Sequence, residues 1–206
     1  MDSSEIVAVS PVIPVVVIDD AAEAVSLARA LVAGGVRIVE LTLRTSAALD
    51  AIRAIAAEVP EILLGAGTVL RPEDAEDAVD AGARFLVSPG ATPRILDALE
   101  ASGVPAIPGV ATVSESLAAW ERGHVVQKLF PAVASGGVPL LRSLAGPLPQ
   151  VRFCPTGGVT AANAPEFLAL PNVVCVGGSW LTPAAEVDGG DWGAVARLAA
   201  EAAALL

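Results

Sequence analysis

Reactive side chains are scarce in this 206-residue chain, and each scarcity removes a class of protein. Two cysteines, Cys154 and Cys175, are too few for a disulfide framework. Both lie in apolar stretches and read as buried, reduced thiols. The single histidine, His124, has no cluster of cysteines or carboxylates at ligand spacing around it, so no metal is expected. It precedes the sixth strand, at the end opposite any site, and reads as a turn residue. Positive charge is scarce as well, with 12 Lys plus Arg against 23 Asp plus Glu and a net charge of −11. So acidic a surface repels nucleic acid and anionic membranes, and neither is an expected partner. The start, Met1-Asp2-Ser3-Ser4-Glu5, lacks the basic residues and apolar core of a secretion signal. No apolar run has the length needed to cross a bilayer. A soluble, cytoplasmic protein is therefore expected. No glycine fingerprint for a dinucleotide follows the first strand, and no cofactor is expected.

Apolar residues, by contrast, are plentiful. At 54% hydrophobic and 17% charged, the chain is not disordered. Its length suits one domain, over residues 1–206, with a core of its own. Composition leaves open whether the apolar excess fills an Ala/Val-rich core or is partly covered by other subunits. Runs of β-branched residues at 12–18, 36–43, 62–64, 84–87, 104–107, 125–130, 151–154 and 173–176 read as strands. Between them lie Ala/Leu/Glu-rich segments with helical spacing. Helices over 21–33, 72–81, 91–101 and 113–122 are each followed by glycine, and 192–206 reads as a last helix capped by Asp191. Pro72 suits a first helical position, and Ser114 or Thr160 are candidate caps. Trp120, Trp180 and Trp192 read as packing residues. Strict alternation implies parallel strands with helical crossovers. The fold class is α/β. A single (β/α)₈ TIM barrel with a closed parallel sheet is favoured over an open doubly wound sheet. The unit count fits the barrel, and polar or glycine clusters follow nearly every strand rather than one switch point.

In such a barrel the chemistry sits at the C-terminal strand ends. Lys128 stands out there, because it is the only lysine in a chain that otherwise uses arginine. It lies in the apolar run Val125-Val126-Gln127-Lys128-Leu129-Phe130, where burying an ammonium is costly. Lysine, unlike arginine, can lose its proton and attack a carbonyl. The alternative is a lysine that snorkels to a carboxylate at the strand end. On the second strand Ile38, Glu40, Thr42 and Arg44 share one side of the sheet. Glu40 could shuttle protons, and Arg44 could grip a carboxylate with its planar fork. A structural Glu40–Arg44 ion pair is the alternative there. Gly157-Gly158 and Gly177-Gly178-Ser179 follow the last two strands, where barrels often bind phosphate. Thr182-Pro183 reads as the start of a short extra helix beside that site.

Several segments together resemble the 2-keto-3-deoxy-6-phosphogluconate (KDPG) aldolase / 4-hydroxy-2-oxoglutarate aldolase family. They run from Gly34-Gly35-Val36 through Val39-Glu40-Leu41-Thr42-Leu43-Arg44-Thr45. They continue with Gly65-Ala66-Gly67-Thr68-Val69, Ser88-Pro89-Gly90, Pro108-Gly109-Val110 and Lys128-Leu129-Phe130-Pro131-Ala132. Phe153-Cys154-Pro155-Thr156-Gly157-Gly158-Val159 and Gly177-Gly178-Ser179-Trp180-Leu181 complete the likeness, which covers nearly the whole chain in order. The resemblance implies a Schiff-base aldolase that cleaves a phosphorylated 2-keto acid to pyruvate and glyceraldehyde 3-phosphate in the Entner–Doudoroff pathway. It implies that Lys128 forms the Schiff base and Glu40 is the general acid/base. It further implies that Arg44 and Thr68 hold the pyruvyl end, with Pro89 at the site and Phe130 as a wall of the pocket. Thr156 falls near the C4 hydroxyl, and Gly157, Gly158, Gly178 and Ser179 fall in the phosphate loops. A homotrimer without cofactor is implied as well. The family often has Ser where Ala111 stands and Glu where Val133 stands. These departures bear on substrate preference rather than on the reaction. Rival readings are an aldolase for the galactonate epimer or for 4-hydroxy-2-oxoglutarate, and a non-catalytic barrel that binds phosphorylated metabolites or serves as a scaffold.

Overall fold

The computed structural model describes residues 1–205. Leu206, the last residue of the expected 192–206 helix, lies outside the described residues. The chain opens with α1 (Ser3–Val7), β1 (Val12–Val16), α2 (Ala24–Ala33), β2 (Ile38–Thr42), α3 (Ala48–Glu58) and β3 (Leu63–Gly67). Next come α4 (Pro72–Asp80), β4 (Phe85–Val87), α5 (Pro93–Ala101), β5 (Ala106–Ile107), β6 (Gly109–Val110) and α6 (Val113–Glu121). The last part holds β7 (Val126–Leu129), α7 (Gly137–Leu144), β8 (Arg152–Pro155), α8 (Ala164–Leu168), β9 (Val176–Gly178), α9 (Ala184–Asp188) and α10 (Trp192–Ala203).

The fold is α/β with parallel strands throughout. Six strands form a curled sheet in the order β5-β4-β3-β2-β1-β9, and three more pair as β6-β7-β8. The fifth strand, expected over 104–107, is reduced to β5, and a second short strand, β6, follows it. Pro108 separates them because it has no N–H to give to a ladder, and its carbonyl instead accepts the amide of Lys128 at 2.9 Å. Single parallel bridges join Phe153 to Val173 and Thr156 to Gly177. Every residue of β1, β2 and β3 is buried, as expected of parallel strands covered on both faces. One continuous cluster of buried side chains runs from Ile6 to Ala202. The end of α2 docks closely on α10: a β-carbon at Gly34 would come within 2.5 Å of Ala199 Cβ.

Local chemistry explains where boundaries differ from expectation. β3 ends at Gly67 rather than 64, and β9 begins at Val176 rather than 173. Their glycines read as turns in the sequence but lie in hydrogen-bonded ladders. The 21–33 helix begins as a 3₁₀ turn over Ala21–Glu23. Neither expected cap holds its position. Thr112, not Ser114, caps α6, with Glu115 completing a capping box. Thr160 instead exchanges hydrogen bonds with Asn163 in the turn before α8. Pro72 opens α4 and Asp191 caps α10, as expected. A short helix does follow Pro183. Among the described residues, no helix is long and apolar enough to cross a membrane.

Candidate active site

Strand β7 alternates its side chains between two buried faces. On one, Gln127 is fully satisfied: Nε2 donates to the carbonyls of Ser116 and His124, and Oε1 accepts from the Ser116 hydroxyl at 2.6 Å. That clamp ties β7 to α6 and fixes its register. The opposite face carries Lys128. Its Nζ donates to Glu40 Oε1 at 3.0 Å, with both side chains 4% exposed. The amine therefore does not snorkel to solvent, although it does pair with a carboxylate. It also sits 5.4 Å from the Phe130 ring centroid, close enough for the ring face to attract a cation.

Glu40 comes from β2, whose inward side also carries Thr42. The Thr42 hydroxyl donates to the Val16 carbonyl at 2.9 Å, so it stitches β2 to β1. The alternative Glu40–Arg44 ion pair is not formed. Arg44 lies beyond the strand end, exposed, and its Nε donates to the Thr68 hydroxyl at 3.1 Å. Among the described residues Arg44 forms no ion pair. Thr68 has φ 63°, a left-handed conformation rare for a β-branched residue. Such strain is sustained only where the surroundings enforce it.

The remaining expected residues line up on neighbouring strand ends. Thr156, just past β8, is buried, and its amide donates to the Leu129 carbonyl. A β-carbon at Gly177 would collide with the Thr156 hydroxyl, so the bare glycine leaves room for it. Because Thr156 bridges to Gly177, Gly158 and Ser179 each lie two residues beyond that pair, in the loops that follow β8 and β9. Gly157 and Gly158 have positive φ, and Gly157 backs onto Pro131 and the Phe130 ring. Val133, one of the departures, packs against Gly158; a β-carbon there would lie 2.8 Å from Val133 Cβ. The other, Ala111, donates its amide to Glu115 in the α6 cap. Pro89 packs its backbone against Gly109, and the Gly109 amide donates to the buried Ser88 hydroxyl.

Sequence reasoning overlooked Cys154 as a neighbour of the site. It stands in register with Lys128, and its shared parity with Thr156, just past the end of β8, could have revealed this. The cysteines, far apart in sequence, are brought together. Cys154 and full burial push the Cys175 thiol well above its ordinary value, which makes it a poor nucleophile. His124 lies before β7, away from these groups. Its Nε2 is buried, 3.4 Å from Glu100 Oε1 but out of line for a hydrogen bond. Burial holds its imidazole below the ordinary value, although Glu100 opposes the shift. Among the described residues no group of His, Cys, Asp or Glu could hold a metal ion.

The arrangement is a primary amine and a carboxylate in contact, enclosed by strands, with an arginine at the rim. It can condense with a ketone and move protons on the adduct. A family model described as KDPG and KHG aldolase matches residues 4–198. A KHG/KDPG aldolase of Escherichia coli (strain K12) is 50% identical over 200 residues, covering 97% of this chain and 94% of the relative. A 2-dehydro-3-deoxy-phosphogluconate aldolase of Pseudoalteromonas atlantica is 48% identical, covering 99% and 95%. The crystal structure of KDPG aldolase from Legionella pneumophila, with pyruvate captured as a covalent carbinolamine, superposes with a TM-score of 0.97. That chain is 45% identical, with 99% of each chain covered.

Proposed function

The chain belongs to the KDPG and KHG aldolase family, and from that premise we propose that it cleaves 2-dehydro-3-deoxy-6-phosphogluconate to pyruvate and glyceraldehyde 3-phosphate. The buried contact of Lys128 Nζ with Glu40 Oε1 carries the reading. Glu40 accepts a proton from Nζ, and the freed lone pair attacks C2 of the keto acid. Glu40 gives that proton to the resulting alkoxide, takes a second proton from the nitrogen and passes it to the new hydroxyl, which leaves as water, so that an iminium remains and Glu40 is again a carboxylate. Glu40 then takes the proton of the C4 hydroxyl. The C3–C4 bond electrons flow into the iminium, the aldehyde departs, and an enamine remains. Protonation at C3 and hydrolysis release pyruvate and free Lys128. The reaction needs an electron sink, which the iminium supplies without metal or cofactor.

Arg44 holds the pyruvyl carboxylate, with Thr68 fixing its guanidinium. Phe130 and Pro89 wall the pocket. Thr156 meets the C4 hydroxyl. Gly157, Gly158, Gly178 and Ser179 offer the distal phosphate their backbone N–H groups.

The whole chain acts as one domain, and the two hydrogen-bonded sheets are parts of one closed (β/α)₈ barrel. β5 and β6 are one strand interrupted at Pro108, and the Thr156–Gly177 bridge adjoins β8 to β9. The protein works in the cytoplasm as a homotrimer. Val113, Leu117 and Trp120, 43%, 38% and 38% exposed, form an apolar stripe at helical spacing on α6 that suits a subunit contact.

Coupled pyruvate-release assays on the gluconate and galactonate phosphates and on 4-hydroxy-2-oxoglutarate test the substrate. Highest kcat/KM on the gluconate phosphate is expected, and preference for either other substrate would overturn that assignment. Sedimentation at three subunit masses is expected, and a monomer would refute the assembly.

A further inference from the structure

Glu40 and Gly67 lie on neighbouring strands. In the β2–β3 ladder Glu40 pairs with Gly65, and Thr42 pairs with Gly67. The Glu40 side chain therefore reaches one repeat along the sheet and comes to rest over Gly67. A β-carbon at Gly67 would stand 2.6 Å from both Cγ and Cδ of Glu40, and nearer still to Oε1. That oxygen is the one that accepts from Lys128 Nζ. The backbone does not require glycine here. Gly67 is a strand residue and is not among the glycines of positive φ. The three atoms that a β-carbon there would meet most closely all belong to the Glu40 side chain.

We propose that Gly67 is a positioning residue of the aldol cleavage: its empty side is the space in which the Glu40 carboxylate stands within reach of Lys128. The inference rests on the reading that Glu40 moves protons at this site. A methyl group at position 67 cannot be met by moving a flexible tip, because Cγ is displaced along with the carboxylate. The whole side chain has to rotate away from Lys128.

Gly67→Ala, Glu40→Ala and the double variant separate positioning from packing, using kcat and the thermal midpoint together. Gly67→Ala is expected to lower kcat by about 10²-fold or more, the scale of a lost general acid/base. In the Glu40→Ala background the added methyl enters vacated space. There it is expected to leave the residual kcat and the midpoint nearly unchanged, a non-additivity that independent sites do not show. If Gly67→Ala alone is too unstable to assay, the double variant is expected to melt like Glu40→Ala. The proposal is overturned by a Gly67→Ala enzyme with parental kcat. It is overturned equally by a methyl that lowers kcat or midpoint to the same degree in both backgrounds, or by a double variant that fails to fold. Full turnover by Glu40→Ala is the separate result that would sink the reading of Glu40 itself.

Discussion

At the scale of the residue, Lys128 and Glu40 depend on each other. Removing one partner of a buried pair leaves the other charge unpaired, at about 3–5 kcal/mol. Lys128→Met would therefore mix stability with chemistry, whereas Lys128→Arg keeps the charge. Arg44 differs, being exposed and, among the described residues, held by Thr68 alone. Arg44→Lys keeps the charge and loses the planar fork. It is expected to raise KM and lower kcat/KM by about 10–100-fold, the worth of one charge-assisted hydrogen bond. Steady-state kinetics on the phosphorylated substrate check this, and an unchanged KM would contradict the role. Much of the pair was legible in the sequence. Lys128 stands out as the only lysine, and Glu40 and Arg44 share one face by strand parity. The partner of Glu40 was not legible, because Lys128 is 88 residues away and only the fold decides which cation reaches it. Nor could the sequence announce that Thr68 turns left-handed, since β-branched residues avoid that region.

At the scale of the element, the sequence indicates order better than ends. Eight strand–helix units were expected; strands and helices do alternate from β1 to β9 along the described residues, except that β6 follows β5 directly, and β3 and β9 run through glycines that imitate turns. Those glycines make room for neighbouring side chains, a reason that appears only when strands are side by side. Caps are similarly ambiguous when threonine and serine stand two apart. The α6 box was decided by Glu115, which accepts from Ala111 and Thr112 at 2.8 and 2.9 Å. The Ala111 amide above all, against a smaller effect of burial, holds the Glu115 carboxyl below its ordinary value. A depressed carboxyl stabilises the fold above its unfolded pKa, and the contribution disappears as pH falls through the folded one. Glu115→Gln is thus expected to lose less stability on acidification than the parent. The difference is under about 1 kcal/mol, because the group is exposed and solvent-screened. Melting curves from neutral pH into the acid range test this, and identical acid sensitivity would contradict it.

At the scale of the whole molecule, alternation and a near-continuous apolar pattern were enough to foresee a parallel α/β fold. The interruption at Pro108 and the division of the ladders into six and three strands depend on hydrogen bonding that periodicity does not carry. Fold alone does not select a reaction. What selects it is that two distant strands deliver one amine and one carboxylate to a buried meeting point. The most direct test is the intact mass of the protein after incubation with pyruvate and borohydride, with Lys128→Arg as the control. One reduced pyruvyl group per chain, mapped to Lys128 and missing from a folded Lys128→Arg variant, is the predicted result. An unmodified parent chain, or an adduct that persists in the variant, would contradict the account.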